Sequence, residues 1–125
     1  MSGGTWDWDL ATGKMAFSPE LERILGLEPG AFGGSLLDFM SSVHIEDVEP
    51  VAGAITSALH DHSELDLEYR ALAADGSTVW IRLSGRVARD DSSRPVGMIG
   101  EATDVTYLHL DELSAARQRR ARGCA

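Results

Sequence analysis

The stretch that decides the fold is ELDLEYRALAADGSTVWIRLSGRV, residues 64–87. Apolar and charged side chains alternate from Leu65 to Ala71, which is the two-residue period of a strand with one buried face. Asp75-Gly76 then supplies the residues of a tight hairpin turn, and the alternation resumes from Val79 to Val87. The stretch therefore predicts two antiparallel strands joined by a short turn.

Three further strands are predicted on either side of this hairpin. Thr5–Leu10 and Lys14–Phe17 alternate in the same way around Thr12-Gly13 and predict an N-terminal hairpin. Val96–Val105 predicts a last strand. Because strands joined by hairpins run antiparallel, the chain is expected to form an antiparallel sheet.

Helical signals occupy the interval between the two hairpins. Ser18-Pro19 begins a short helix that Gly26 ends, and Ser35 to Asp38 resembles a capping box that begins a second. Asp47 is predicted to cap a third helix, whose apolar positions recur at helical spacing: Val48, Val51, Ala52, Ile55 and Leu59. With a last helix after the final strand, the order predicts an α+β fold in which helices cover one face of the sheet.

Charge is unevenly distributed along the chain. The net charge is −9, but residues 1–113 carry −13 and residues 114–125 carry +4. An acidic body repels phosphates, so the sequence predicts no nucleic-acid binding by the core. We interpret the basic tail, residues 117–122, as a solvated helix end in preference to a nucleic-acid or membrane contact.

Cysteine and apolar content indicate the compartment. Cys124 is the only cysteine, which excludes an internal disulfide and any paired-cysteine metal or haem attachment motif. The N-terminus has no apolar signal region, and no apolar run reaches membrane-spanning length. We therefore expect a cytoplasmic protein without a membrane segment.

Five short blocks, in order, resemble the PAS family, in particular its subgroup with the block called PAC. They are Gly4-Thr-Trp-Asp-Trp-Asp-Leu10, Phe17-Ser-Pro-Glu20 with Ile24-Leu-Gly26, Val43-His-Ile-Glu-Asp47, the hairpin blocks Glu68-Tyr-Arg70, Asp75-Gly76 and Trp80-Ile81, and Gly100 with Asp104-Val-Thr106. One position departs from the family pattern, because Ile45 stands where the family has proline.

The resemblance implies a five-stranded antiparallel sheet of order 2-1-5-4-3, short helices on one face and an outgoing C-terminal helix. It implies a PAS domain over residues 4–106, followed by a linker, signalling helix and basic tail over residues 107–125. It also implies a sensory module in a multidomain bacterial signalling protein, such as a histidine kinase, a diguanylate cyclase or phosphodiesterase, or a phosphatase. The output domain is then expected in the same polypeptide.

By the same resemblance, Asp104 and Thr106 couple the last strand to the outgoing helix, and Arg70 or Arg82 is a candidate basic partner for Asp104. The simpler interpretation is that Thr106 only caps that helix. Both roles are compatible with one another.

The family's ligand pocket lies between the inner face of the sheet and the helices. Here the pattern places these residues around it: Phe39, Met40, Ile55, Leu59, Leu67, Tyr69, Leu83 and Met98. Because they are large and apolar, a filled core is the favoured alternative; any ligand would be small and mostly apolar, with Tyr69 or Arg70 as its polar contact. Core packing is also favoured over ligand or dimer contacts for at least two of Trp6, Trp8 and Trp80.

Cofactors are left unassigned by the sequence. A haem ligand on the long helix would have to be His62, which lies on the apolar stripe only if that helix extends past Asp61, so haem is disfavoured. His44 is interpreted as structural, and no histidine or cysteine spacing predicts a metal site. A cysteinyl–flavin photocycle is excluded because Cys124 lies in the tail.

Three functional classes follow. The first is a ligand-responsive sensor, and the second a ligand-free dimerisation and transmission module; both predict a homodimer. The third is a small cone-shaped α+β enzyme or carrier, which is disfavoured because no nucleophile, phosphate-loop or metalloprotease motif is present. The carboxylate pairs Asp7/Asp9 and Asp90/Asp91 are interpreted as solvated acids, so no catalytic residue is predicted.

Overall fold

The computed structural model describes residues 3–61 and 63–109. In chain order its elements are β1 (Gly3–Asp9), β2 (Met15–Phe17), α1 (Pro19–Ile24), α2 (Leu36–Ser41), a 3-10 turn (Ile45–Asp47), α3 (Val48–Asp61), β3 (Leu65–Leu72), β4 (Thr78–Arg89) and β5 (Pro95–Asp104). Residues 106–109 are helical. His62 and the basic tail lie outside the described residues.

The five strands form one antiparallel sheet in the order β2-β1-β5-β4-β3, which confirms the predicted fold. β5 is the central strand, and its neighbours are the first strand and the second strand of the 64–87 hairpin. Because β5 leads directly into residues 106–109, the end of the domain is bonded to the middle of the sheet.

Hydroxyl caps begin the two short helices, as the sequence predicts. The hydroxyl of Ser18 accepts from the backbone N–H of Leu21 at 3.3 Å and from that of Thr5 at 2.9 Å, so one side chain caps α1 and attaches it to β1. Ser35 accepts from the backbone N–H of Asp38 at 3.1 Å at the start of α2.

At the other end of the helical segment, α3 is attached to the sheet through its last carbonyls. The guanidinium of Arg89, at the end of β4, donates to the carbonyl of Leu59 at 3.1 Å and to that of Ala58 at 3.4 Å. A cation at this position also suits the negative end of the helix dipole.

The core lies between the helices and one face of the sheet, which we call the inner face. Its buried members come from all five strands and from all three helices and include Trp6, Met15, Leu21, Leu25, Phe39, Val51, Ile55, Ala58, Leu65, Tyr69, Ile81, Leu83, Met98 and Ala102. The opposite, outer face carries charged residues and Trp80. This division follows the two-residue period read from the sequence.

Candidate functional site

The interior contains a cavity of about 20 Å³ with an almost wholly apolar lining. Five of the eight predicted pocket residues line it: Phe39, Ile55, Tyr69, Leu83 and Met98. The other three are half-buried and pack against the core outside the cavity: Met40, Leu59 and Leu67. Ligand binding by these residues stays a prediction.

Trp6 is buried on the inner face and lines the cavity. Its ring lies against the backbone of Gly85, where an added Cβ would come within 2.6 Å of the ring carbon Cζ2. Gly85 is paired in register with Gly100, and a Cβ on Gly100 would overlap the backbone oxygen of Ser84. The indole N–H donates to the carbonyl of Glu101 at 3.3 Å, so the side chain is oriented as well as packed.

Two polar groups reach this interior. Tyr69 is buried, and burial raises the pKa of its phenol above the ordinary value, so the group is neutral at physiological pH. Its ring packs edge-on against Phe39 with centroids 5.8 Å apart. The indole N–H of Trp8 is buried and has no hydrogen-bond acceptor within the described part of the chain. Trp8 also lines the cavity.

Haem and flavin, the groups that the PAS resemblance brings into consideration, do not fit this interior. A volume of about 20 Å³ holds about one water molecule. Pockets that bind ligands of cofactor size enclose about 300 Å³ or more. Trp6 lines this cavity, and its ring already lies against the backbone of Gly85.

The second candidate region is the junction where β5 meets the helical residues 106–109. Val105 donates from its backbone N–H to the carbonyl of Trp80 at 2.8 Å. The backbone N–H of Trp80 in turn donates to the hydroxyl of Thr106 at 3.0 Å. The carboxylate of Asp104 accepts from the backbone N–H of Thr106 at 2.9 Å. The hydroxyl of Thr106 is therefore bonded across to β4, and the carboxylate of Asp104 caps the turn.

Arg70 is held by acids at the start of α3. Its guanidinium donates to Asp47 through Nη2 at 2.7 Å and Nε at 3.0 Å, and to Glu46 at 3.1 Å. The side-chain bond from Arg70 is the main reason why the pKa of Asp47 lies below its ordinary value, and the same bond raises the pKa of the guanidinium. Arg82, the other candidate partner of Asp104, is bonded to Asp66.

Asp47 was predicted to cap α3, but its structural role is different. Besides the two side-chain bonds, its Oδ2 accepts from the backbone N–H of Arg70 at 2.7 Å, so the carboxylate binds β3 instead of capping α3. This contact spans 23 residues, and no local pattern in the sequence signals it. The Glu-Asp and Tyr-Arg blocks of the family resemblance contain both partners.

His109 and Trp80 form the other contact that the sequence did not predict. The imidazole stacks on the indole with centroids 3.7 Å apart and planes 9° from parallel. Its Nε2 lies 2.7 Å from Oε1 of Glu68 on β3. The guanidinium carbon of Arg70 lies 5.6 Å from the centroid of the same indole, within cation–π range.

The remaining candidates have structural surroundings. Nδ1 of His44 accepts from the backbone N–H of Glu46 at 3.1 Å, in agreement with a structural role. Asp9 and Asp90 accept backbone N–H groups within their own turns. Within residues 3–61 and 63–109, no group of three histidine, cysteine or acidic residues is arranged to hold a metal ion, and no helix has the length and apolar character needed to span a membrane.

Comparisons with known proteins agree with this architecture. Residues 14–102 match the family model described as the PAS fold. The chain is 26% identical over 112 residues to the sensor protein FixL of Bradyrhizobium diazoefficiens. That match covers 87% of this chain but only 20% of FixL, so the chain spans about a fifth of the length of this relative.

Two solved structures are similar over most of their lengths. A sensory box histidine kinase/response regulator from Burkholderia thailandensis has 31% identity and a TM-score of 0.80, over 97% of this chain and 92% of that one. The N-terminal domain of a diguanylate cyclase with PAS/PAC sensor from Marinobacter aquaeolei has 30% identity and a TM-score of 0.79, over 86% and 98%. The family match, the strand order and these structures together place the chain in the PAS fold family.

Proposed function

We propose that this chain is the sensory and transmission module of a longer signalling protein and that its signal leaves through the junction Asp104-Val105-Thr106. The observation that carries the proposal is the bonding of Trp80 to both sides of the junction. Its carbonyl accepts from Val105 and its N–H donates to Thr106. Because these bonds join β4 to the outgoing segment, a shift of β4 displaces that segment.

The relatives support this assignment by the kinds of protein in which they occur. They are a sensor protein, a sensory box histidine kinase and a diguanylate cyclase with a PAS/PAC sensor. We propose residues 4–106 as the module and residues 107–125 as the connection to an output domain in the same polypeptide. The single cysteine supports a cytoplasmic location.

Between the two modes of sensing, we favour the ligand-free one. The interior has room for about one water molecule, and buried side chains such as Trp6 fill the rest. The module would then act through contacts with other protein segments, as a non-catalytic homodimer. Apolar side chains available for such contacts are half-exposed on the outer face and on the outgoing segment: Ile99, Tyr107 and Leu108.

The full gene product provides the first test. The proposal expects a kinase, cyclase, phosphodiesterase, phosphatase or transcription domain downstream of the junction, and a reading frame without any output domain would contradict it. In that protein, Thr106→Val should change the basal output activity while the thermal midpoint of the PAS domain changes little. Thr56→Val, at an exposed position of α3, is the matched control, because its hydroxyl donates to the carbonyl of Ala52 in its own helix.

The second test concerns the ligand-free mode and the homodimer. Sedimentation equilibrium should give twice the mass of the chain, and native mass spectrometry should detect no retained small molecule. A monomer at micromolar concentration would contradict the dimer. A stoichiometric bound compound would favour the ligand-responsive sensor.

A further inference from the structure

The contact between His109 and the sheet has a chemical property that the rest of the junction lacks, because an imidazole changes its charge between pH 5 and 8. The side chain of His109 is 20% exposed and that of Glu68 42% exposed, so their 2.7 Å contact is only partly solvated. The other bonds across the junction use backbone groups, the hydroxyl of Thr106 and the carboxylate of Asp104.

Protonation of His109 strengthens both of its contacts. A neutral imidazole makes an ordinary hydrogen bond to Glu68, whereas an imidazolium makes a charge-assisted one. The imidazolium is also attracted to the face of the Trp80 ring, on which the imidazole already stacks. Both effects favour the docked position of the outgoing segment at low pH.

The other charged groups near His109 are largely engaged elsewhere. On β3, Arg70 is bonded to Asp47 and Glu46, and on β4, Arg82 is bonded to Asp66. Asp104, at the end of β5, is bonded to the backbone N–H of Thr106. His44 is connected to this region through Arg70, because its backbone N–H donates to the carbonyl of Arg70 at 2.9 Å and Arg70 lies beside Trp80.

From this geometry we infer that Glu68, Trp80 and His109, together called the junction stack, hold the outgoing segment against the sheet in a proton-dependent way, so that the proton is an input of this module. The inference rests on the proposed function, because it assigns an input to the same junction. Acidification favours the docked segment, and a rise in pH through the range in which histidine titrates releases it. For a partly exposed pair the ratio of docked to released segment should change about two- to five-fold.

The experiment uses the chain labelled with 5-fluorotryptophan, whose three tryptophans give three fluorine resonances, assigned with Trp80→Phe. Between pH 5.5 and 8.0 the Trp80 resonance should shift along a single-proton curve while those of Trp6 and Trp8 stay constant. His109→Gln keeps a hydrogen-bond donor without the charge, and Glu68→Gln removes the anion but keeps the stack. His109→Gln should abolish the shift. Glu68→Gln should reduce it, because only the contact with the Trp80 ring then responds to the charge. His60→Gln, at the exposed end of α3, should leave it unchanged.

A pH-independent Trp80 resonance in the unmodified chain, or a shift that survives in His109→Gln, would overturn the inference; a surviving shift would point to His44. Glu68→Gln gives an answer even if His109→Gln fails to fold, because Glu68 is a surface residue. The outcome is separable from that of the proposed function. If the Trp80 resonance titrates but Thr106→Val leaves the output unchanged, only the signalling role is contradicted. If Thr106→Val changes the output but the Trp80 resonance does not titrate, only the inference about the junction stack is contradicted.

Discussion

The two faces of the sheet are made by the same five strands, yet their tryptophans have opposite surroundings. Trp6, on the inner face, is buried against the backbone of Gly85 and donates its indole N–H to the carbonyl of Glu101. Trp80, on the outer face, is half-buried and contacts side chains from β3 and from the outgoing segment. The inner face is filled by one rigid arrangement, whereas the outer face joins segments that are far apart in the chain.

This difference separates stability from communication. A close-packed interior tolerates little change in volume, so a rearrangement there is costly. Contacts on the outer face are partly solvated and individually weak, so they can be exchanged at small cost. A module of this kind keeps its fold through the inner face and changes its connections through the outer one.

Replacing each tryptophan by alanine tests this separation most strongly. Trp6→Ala should lower the free energy of unfolding by about 3–5 kcal/mol, because it leaves a large cavity in the core. Trp80→Ala should lower it by about 1–2 kcal/mol, because the side chain is half-exposed and the backbone bonds to Val105 and Thr106 remain. Urea titrations measure both values, and equal losses would remove the distinction between the faces.

The next test uses the two glycines that are paired in register on β4 and β5, Gly85 and Gly100. Gly100→Ala should destabilise the domain by about 3 kcal/mol, because the new Cβ meets the backbone oxygen of Ser84, and a backbone atom cannot move aside as a side-chain end can. Gly53→Ala is the matched control. Its Cβ meets nothing within 4 Å in α3, and the change should stabilise the helix by up to about 1 kcal/mol. Similar effects at both positions would contradict the tight approach of β4 and β5.

At the β3 edge of the sheet, Asp47→Asn should destabilise the domain at pH 7 by about 1 kcal/mol, because it removes the charge from the bonds to Arg70. The pKa of Asp47 is lowered in the folded state, so its contribution is present above the unfolded value near 4. As the pH falls through the lowered folded value, this contribution is lost. Urea midpoints of the two proteins should therefore converge as the pH falls below the lowered folded value, and a constant difference would contradict the ion pair.

Much of this architecture can be predicted from local pattern. The alternation in residues 64–87, the Asp75-Gly76 turn and the Ser18 cap each act over a few residues, and the structure confirms all three. The strand order needs more than local pattern, because hairpins do not determine which strand lies in the centre. It came from the family resemblance, and the sheet confirms it.

Local pattern and family resemblance could not predict which side chains contact one another in the candidate site. Arg70 is equally close in sequence to several acids, and only the fold places Asp47, 23 residues away, against it. Likewise, only the fold brings Trp6 against Gly85 and brings His109 to Glu68, which is 41 residues away in the sequence. A strand period indicates which face a side chain takes, but it does not indicate which neighbour it meets there.

The smallest effect is expected from a comparison of two ion pairs whose arginines lie on the outer face. Arg70–Asp47 and Arg82–Asp66 use the same residue types, but the side chains are 26% and 17% exposed in the first pair and 59% and 56% exposed in the second. Solvent and salt screen the second pair more strongly, and it orders two flexible side chains for little gain. Asp66→Asn should therefore leave the urea midpoint unchanged within error.

A double-mutant cycle for each pair, with Arg to Gln and Asp to Asn, isolates the coupling from the other contacts of each residue. The coupling between Arg70 and Asp47 should be measurable in low salt and persist at 0.5 M sodium chloride, since two bonds to the carboxylate hold it in a fixed geometry. The coupling between Arg82 and Asp66 should vanish there. If the two couplings prove equal, exposure does not distinguish the pairs, and Arg70 has no special part in connecting the start of α3 to Trp80.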